Sequence, residues 1–343
     1  MVSDEAKGLW ADILSDLAPE LSQAIEAGGN HVPCPVHGGK DGFRVFNDFQ
    51  LTGGGVCNTC GSFASGVRLL AWIKQITPRE AARMIHLWLE GGRAGIATPA
   101  RKRVEFMEPD PSKARASILQ IWSGCTDLQG TVAERYLLNR GIPLASISRR
   151  LRFHPALTYS EKVDGRWRRV GSFPAMVAPI QLPDGLGVCL HRTYLSEQGT
   201  KAKVGSPKKM TMRSALSRGG AIRLFTPRGV LAVAEGIETA LAVRAATGLP
   251  AWAAVSATLM ESLEVPEGVH EVHIFADKDG NGRGRRAAEV LAKRLRRAGI
   301  EGAIHLPTGR VPEGSKGIDW LDVYVKQGAS GFPRVTGEIR CAA

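Results

Sequence analysis

Twice in this chain a short, branched, apolar run stops at acidic side chains. Val230–Ala234 leads into Glu235-Gly-Ile-Glu-Thr239, and Val272–Ala276 leads into Asp277-Lys-Asp279. A run with no polar side to offer water predicts a strand buried on both faces, as in a parallel sheet. Ligands of open α/β sheets bind beyond the carboxyl ends of such strands. Glu235, Asp277 and Asp279 are therefore expected to meet at one edge, where they repel one another unless a cation lies between them. Mg²⁺ suits carboxylate oxygens and keeps waters and phosphates in its shell, so the pattern points to metal-dependent phosphoryl transfer. Helices expected at Ile237–Thr247 and Arg283–Ala298, with strands at Pro250–Val255 and Gly302–Leu306, complete a βαβ alternation with right-handed crossovers. Asp319 and Asp322, in the closing stretch Lys316–Asp322, add a further acidic pair.

Competing motifs fail at named positions. Asp277-Lys-Asp279-Gly-Asn281-Gly282 matches the first half of a calcium-binding EF-hand loop, but the twelfth position is Ala288, where a bidentate Glu is needed. The preceding segment is also strand-like. Gly280, Gly282 and Gly284 have the wrong spacing for a dinucleotide fingerprint, and no P-loop sequence occurs.

Nearer the start, Cys34-Pro-Val-His37 and Cys57-Asn-Thr-Cys60 form two tight ligand pairs. Strand-like residues (Phe43–Phe46, Phe49–Leu51) and the turn Gly53–Gly55 separate them, which describes a zinc ribbon. Four protein ligands leave no open position, so the one zinc is expected to be structural. His31 is a fifth candidate, better placed in a loop outside the tetrahedron. Cys125, Cys189 and Cys341 stand apart, and this usage suits a reducing cytoplasm rather than a disulfide framework. A helical pattern over Asp4–Ala27, interrupted at Pro19, precedes the ribbon. Helices at Phe63–Lys74 and Pro78–Glu90 follow it, the second opened by a capping box at Thr77 and Glu80.

Residues 91–113 are rich in Gly, Pro and charge and read as a linker. Helices are expected near Ser117–Ser123 and Thr131–Asn139, and strands at Ala175–Ile180 and Gly187–Tyr194. Between Arg149 and Arg223 lies the densest basic stretch, with Trp167 and Tyr194 interleaved. Forty-five Lys and Arg against 33 Asp and Glu leave a net charge of +12 on 343 residues, which favours polyanionic partners. No run of about 20 apolar residues is present, nor a signal-peptide pattern, nor a basic amphipathic helix with bulky anchors. Nucleic acid is the expected partner, tracked along its backbone by the basic stretch, and a membrane is not.

These motifs together resemble a known family. Glu235-Gly, then Asp277-x-Asp279-x-x-Gly282 before an alanine-bearing helix, resembles the Toprim domain of primases, topoisomerases and related nucleases. Cys34-Pro-Val-His37…Cys57-x-x-Cys60-Gly resembles the N-terminal zinc ribbon of bacterial DnaG-type primases. His31-x-x-Cys-Pro-x-His-Gly-Gly-Lys-Asp-x-Phe-Arg is nearer to phage and plasmid ribbons. Between them, Ala133-Glu-Arg-Tyr-Leu…Arg140-Gly-Ile, Phe173–Ile180…Gly185…His191–Tyr194 and Lys201-x-Lys203-x-x-Ser206-Pro207 are similar to the basic subdomain preceding Toprim in those enzymes.

The resemblance implies a multi-domain α/β protein: a zinc ribbon with helices (1–90), a linker (91–113), a basic subdomain (114–227) and a Toprim domain with a Rossmann-like parallel sheet (228–343). The last two would form the RNA-polymerase core of a primase. It implies synthesis of short RNA primers from NTPs on single-stranded DNA. Glu235, Asp277 and Asp279 would be catalytic and bind Mg²⁺ or Mn²⁺, with Asp319 and Asp322 as further metal ligands. Arg192, Lys201, Lys203, Lys208 and Lys209 would contact template or nucleotide, with Lys40 and Arg44 as ribbon contacts. A replicative helicase or another replication protein is an implied partner. Two departures stand out. The family often has Asp four residues after the first Glu, where this chain has Thr239 with Glu238 one place earlier. The chain also ends soon after Toprim, which suggests a plasmid, phage or mobile-element setting. A Toprim nuclease and a non-catalytic single-stranded-DNA-binding accessory protein are the alternatives. Tyr136, Tyr159, Tyr194 and Tyr324 show no context for a strand-passing nucleophile.

Overall fold

The computed structural model describes residues 2–57, 60–91, 111–163, 166–211, 219–280, 282–312, 314–315 and 317–335. They fall in two compact units, Met1–Glu108 and Pro109–Ala343. Most of the expected linker and Cys341 lie outside the described residues.

In the first unit four short strands, β1 (Val32–Cys34), β2 (Gly38–Val45), β3 (Gly55–Cys57) and β4 (Gly61–Phe63), form an antiparallel sheet in chain order. So small a sheet has little core of its own, and helices cover it. Trp10, Ile13, Leu14, Leu69, Leu70 and Ile85 are fully buried with Phe43 and Val45. The expected helix over Asp4–Ala27 is broken into Val2–Glu5, Trp10–Leu17, a 3₁₀ turn at Pro19–Leu21 and Ser22–Glu26. Gly8 at φ +82° accounts for the first break.

Two sequence expectations here need correction. Phe49–Leu51 is not strand: Phe49–Thr52 is a single helical turn closed by Gly53 at φ +65°. Phe49 is buried in the core, and a side chain at Gly53 would strike the Trp10 ring, so packing overrides the strand propensity of Phe and Leu. The helix expected from Phe63 starts at Gly66, because Phe63 ends β4 and Ser65 caps the helix by accepting from the Arg68 amide. The Thr77–Glu80 capping box is formed as expected, with bonds of 2.8 and 3.3 Å.

The second unit holds two sheets. The first runs β5 (Thr126–Asp127), β6 (Arg152–Val163), β7 (Arg166–Gln181), β8 (Gly187–Tyr194) and β9 (Lys208–Met210), all antiparallel. Side chains alternate along β7. Met176, Ala178 and Ile180 enter one core with Tyr136 and Leu137 of α1 (Val132–Asn139), while Ala175 and Val177 enter another with Tyr159 and Tyr194. The second sheet contains β10 (Val230–Ala234), β11 (Ala251–Ala253), β12 (Glu271–Phe275) and β14 (Glu301–His305), parallel in the order β11-β10-β12-β14. Its crossovers use α2 (Ile237–Thr247) and α3 (Arg283–Arg297). β10 is buried on both sides: Val230, Ala232 and Ala234 face the shared core, and Leu231 and Val233 pack against Trp252, Met260 and Leu291. That is why its sequence carries no polar alternation. A small ladder of β13 (Lys278–Asp279) and β15 (Gly317–Ile318) leads into α4 (Trp320–Gln327). Two isolated rungs join the sheets: Gln181 pairs with Ala221, and Ile222 pairs with Ala253.

Candidate functional site

Parallel registration sets the acidic edge. Ala234 stands opposite Phe275, so both strands end at one level and release Glu235 and Asp277 side by side. The edge is held from several directions. The Val255 amide donates to the Glu235 carbonyl at 2.8 Å, from a β-branched residue at φ +68°. Such backbone strain, of order 1–3 kcal/mol, persists where surrounding structure over-determines it. Trp320 Nε1 donates to the Ala276 carbonyl at 3.2 Å. Gly284 lets the start of α3 approach closely, since a Cβ there would lie 3.0 Å from the Asp277 carbonyl oxygen.

Two of these carboxylates keep an oxygen without a partner. Asp277 Oδ1 and Asp279 Oδ1 are buried with no hydrogen-bond partner, while Asp279 Oδ2 accepts from the Gly284 amide at 3.1 Å. Burial, followed by Glu235, Asp319, Asp279 and Asp322, pushes the Asp277 carboxyl up to about 8. Glu235 is raised by burial and Asp279, against the opposing pull of Arg283 and Lys208. Asp319 is raised chiefly by burial. Asp277 thus feels the other four acids, and repulsion of this kind is what a divalent ion relieves. Asp319 and Asp322 also do local work: each accepts the other's amide, at 2.8 and 3.2 Å, in a capping box that starts α4.

Basic side chains divide between two places. Strand alternation sends Lys208 and Lys209 to opposite faces. Lys208 Nζ lies 2.9 Å from Glu238 Oε2 and close enough to Glu235 to draw its titration down. Lys201 is half-buried beside Lys208, Glu238, Arg140 and Asp319, and burial lowers its pKa. Lys209 instead donates to the Ser160 carbonyl at 2.5 Å and sits 4.1 Å above the Tyr159 ring. Arg192 bonds the Tyr194 hydroxyl and the Met210 carbonyl. Lys203 is exposed. Arg44 lies in β2 of the first unit, as does the backbone of Lys40, whose side chain is outside the described residues.

Sequence reasoning flags Glu238 without giving it a task. Glu238 is buried in the first turn of α2 and bonded to Tyr136 Oη at 2.6 Å as well as to Lys208. Burial alone would raise its pKa, but Lys208 and Tyr136 hold it at about 2, ionised. His191, beside Lys208, is buried and kept neutral with its pKa near 4. No local signal could reveal the Tyr136 contact, because 102 positions separate the partners.

In the first unit Cys34, His37, Cys57 and Cys60 place their ligand atoms within 4.8 Å of one another, the only such group among the described residues. Burial and the neighbouring thiols raise Cys34, and raise Cys60 to about 12; bound zinc removes this cost by holding the thiolates. The Val36 amide points at Cys34 Sγ, 3.4 Å away. His31 lies outside the set and pairs with the Asp41 carbonyl at 2.9 Å.

Comparison with known families matches three stretches. Residues 29–67 match the zinc-binding domain of primase-helicase, and residues 230–330 match the Toprim domain. The chain carries a primase-type zinc ribbon and a Toprim domain. That pairing bears out the resemblance to DnaG-type primases. Residues 112–224, before the Toprim domain, match a domain of unknown function (DUF7146). Among solved structures, the Aquifex aeolicus primase zinc-binding and RNA polymerase domains share 17% identity over 93% of this chain and 83% of that one, with a TM-score of 0.43. The primase fragment of the bacteriophage T7 primase-helicase shares 15% over 88% and 96%, at 0.34. The E. coli primase catalytic core shares 16% over 64% and 77%, at 0.41. No described helix is long and apolar enough to cross a membrane.

Proposed function

We propose that this protein is a DNA primase that makes short RNA primers from NTPs on single-stranded DNA. The observation that carries the reading is the pair of buried, unpartnered oxygens on Asp277 and Asp279, set beside Glu235 at the ends of parallel strands. Glu235, Asp277 and Asp279, with Asp319 and Asp322, would hold Mg²⁺ or Mn²⁺. A divalent ion there supplies charge neutralisation for nucleotide phosphates and for the attacking oxygen. Lys208, aimed by Glu238, and Lys201 would meet the same phosphates. Lys203, Arg192 and Lys209 would lie along the template path, and Lys40 and Arg44 on the ribbon would help choose where synthesis starts. In this scheme residues 1–90 select the site, 114–227 guide nucleic acid and 228–343 do the chemistry. A helicase or another replication protein would bring the enzyme to its template.

The test is synthesis without a primer: purified protein, labelled NTPs, Mg²⁺ and mixed-sequence single-stranded DNA, beside Asp277→Asn. Short RNA products that disappear in the variant support the reading. Degraded template would move the assignment to a Toprim nuclease, and binding with no product on any template to an accessory protein.

A further inference from the structure

Among the described residues the longest strand pairing, β6 with β7, reaches past the rest of its sheet. β8 pairs with β7 only from Ala175 onward, so Arg166–Phe173 of β7 are paired by β6 alone. The register steps from Ser160↔Arg169 to Tyr159↔Gly171, leaving Val170 as a bulge. Bulges bend and twist a ribbon and re-aim its side chains. On this ribbon Trp167 is 70% exposed, the most exposed of the large apolar side chains described. A ring this exposed offers a flat apolar face on which a base could stack.

The indole is positioned rather than loose. Lys209 Nζ lies 5.7 Å from its ring centroid and 4.1 Å from that of Tyr159, anchored by its bond to the Ser160 carbonyl. Arg168 and Arg169 are exposed, and Arg169 is steadied by Ser172 at 3.1 Å. Glu161, paired across the ribbon with Arg168, accepts from the Tyr159 hydroxyl and the Gly205 amide through one carboxylate oxygen. Among the described residues, the accessible surface is therefore an exposed aromatic ring with Arg169 on its face of the ribbon, while Arg168 stands opposite Glu161 on the other face.

We propose that the β6–β7 ribbon is a stacking arm for single-stranded nucleic acid. Trp167 would take the face of an unpaired base, and Arg169, two positions along the strand and so on the same face, would take the adjoining phosphate. The inference rests on the template-binding reading given above and assigns part of that binding to an element away from the acidic edge. Stacking on an aromatic plate accepts any base, while guanidinium contacts to phosphate make binding fall with salt.

The experiment is fluorescence anisotropy of the full-length protein with a labelled mixed-sequence DNA oligonucleotide, without NTPs, across a salt series. Trp167→Ala is expected to weaken binding by about 5- to 150-fold, and Trp167→Phe, which retains a ring, to keep most of the affinity. Arg169→Ala should flatten the log–log salt slope by about 0.7, and Arg168→Ala, on the other face, should leave it unchanged. Near-UV circular dichroism checks that the fold is retained in each variant. If wild type binds and Trp167→Ala binds equally well, the arm is overturned while the primase reading stands. The arm is overturned in the same way if Trp167→Ala changes only self-association measured by light scattering. If wild type binds no single strand, the primase reading falls and the arm falls with it.

Discussion

The phenol of Tyr136 donates a 2.6 Å hydrogen bond to Glu238 Oε1, joining the helix between β5 and β6 to the first turn after Glu235. The other carboxylate oxygen holds Lys208 at 2.9 Å. One buried anion therefore fixes a tyrosine, a lysine and the start of α2. Removing the hydroxyl leaves a buried charged acceptor short of one donor. Tyr136→Phe should cost about 1.5–3 kcal/mol, read as a lower urea midpoint with an unchanged slope. An unchanged midpoint would mean that the bond adds nothing to stability.

Ionisation of Glu238 gives this contribution a pH signature. The folded carboxyl is held near 2, below its ordinary value of 4.5. Its stabilisation is complete above about pH 4.5 and is lost as pH falls through about 2. Comparison of wild type with Glu238→Gln cancels the other titrating groups. The gap between them should be of order 2–3 kcal/mol at neutral pH, with allowance for the partial exposure of Lys208, and should close below about pH 4.5. A gap constant from pH 2 to 7 would assign the effect to shape rather than charge.

Asp277→Asn should act oppositely on stability and activity. Asp277 is half-buried, and desolvation first, then four neighbouring acids, push its titration up to about 8. A neutral amide relieves that repulsion, so the metal-free variant is expected to melt higher, by a gain of about 0.5–2 kcal/mol. Primer synthesis should be lost in the same protein. A lower melting temperature would show that the carboxylate is structural.

Zinc stripping should damage one unit alone. Four ligand atoms within 4.8 Å leave Cys34 and Cys60 costly to ionise without the metal, and small ribbons depend on their ion. Elemental analysis should find one zinc per chain. Chelation should then abolish amide-exchange protection across residues 32–63 and leave β10 and β12 protected. Equal loss in both units would overturn this.

The chemistry-bearing residues are legible in the sequence where local spacing dictates geometry. Two knuckles of paired ligands admit one tetrahedron, and an apolar run ending in acid admits few folds other than a buried parallel strand. The Asp319–Asp322 pair is visible as acid, but its capping box shows only with the helix in place. Sequence reading finds β7 only from Ala175 onward and misses β6. Pro155 and Pro174 interrupt the pattern there, and arginines alternate with few apolar residues, because Arg166–Phe173 pairs on one side and is not sandwiched. Glu238 has no evident task in the sequence because its partners come from α1 and β9, far away in the chain.

The rungs Gln181↔Ala221 and Ile222↔Ala253 have a mechanical consequence. Hydrogen bonds run from the arginine-rich sheet into the Toprim sheet, and the two share one apolar core. The two sheets are thereby tied into one compact unit. On the proposed reading, nucleic acid lying on the basic sheet would be held at a set distance from the acidic edge, as against a stop.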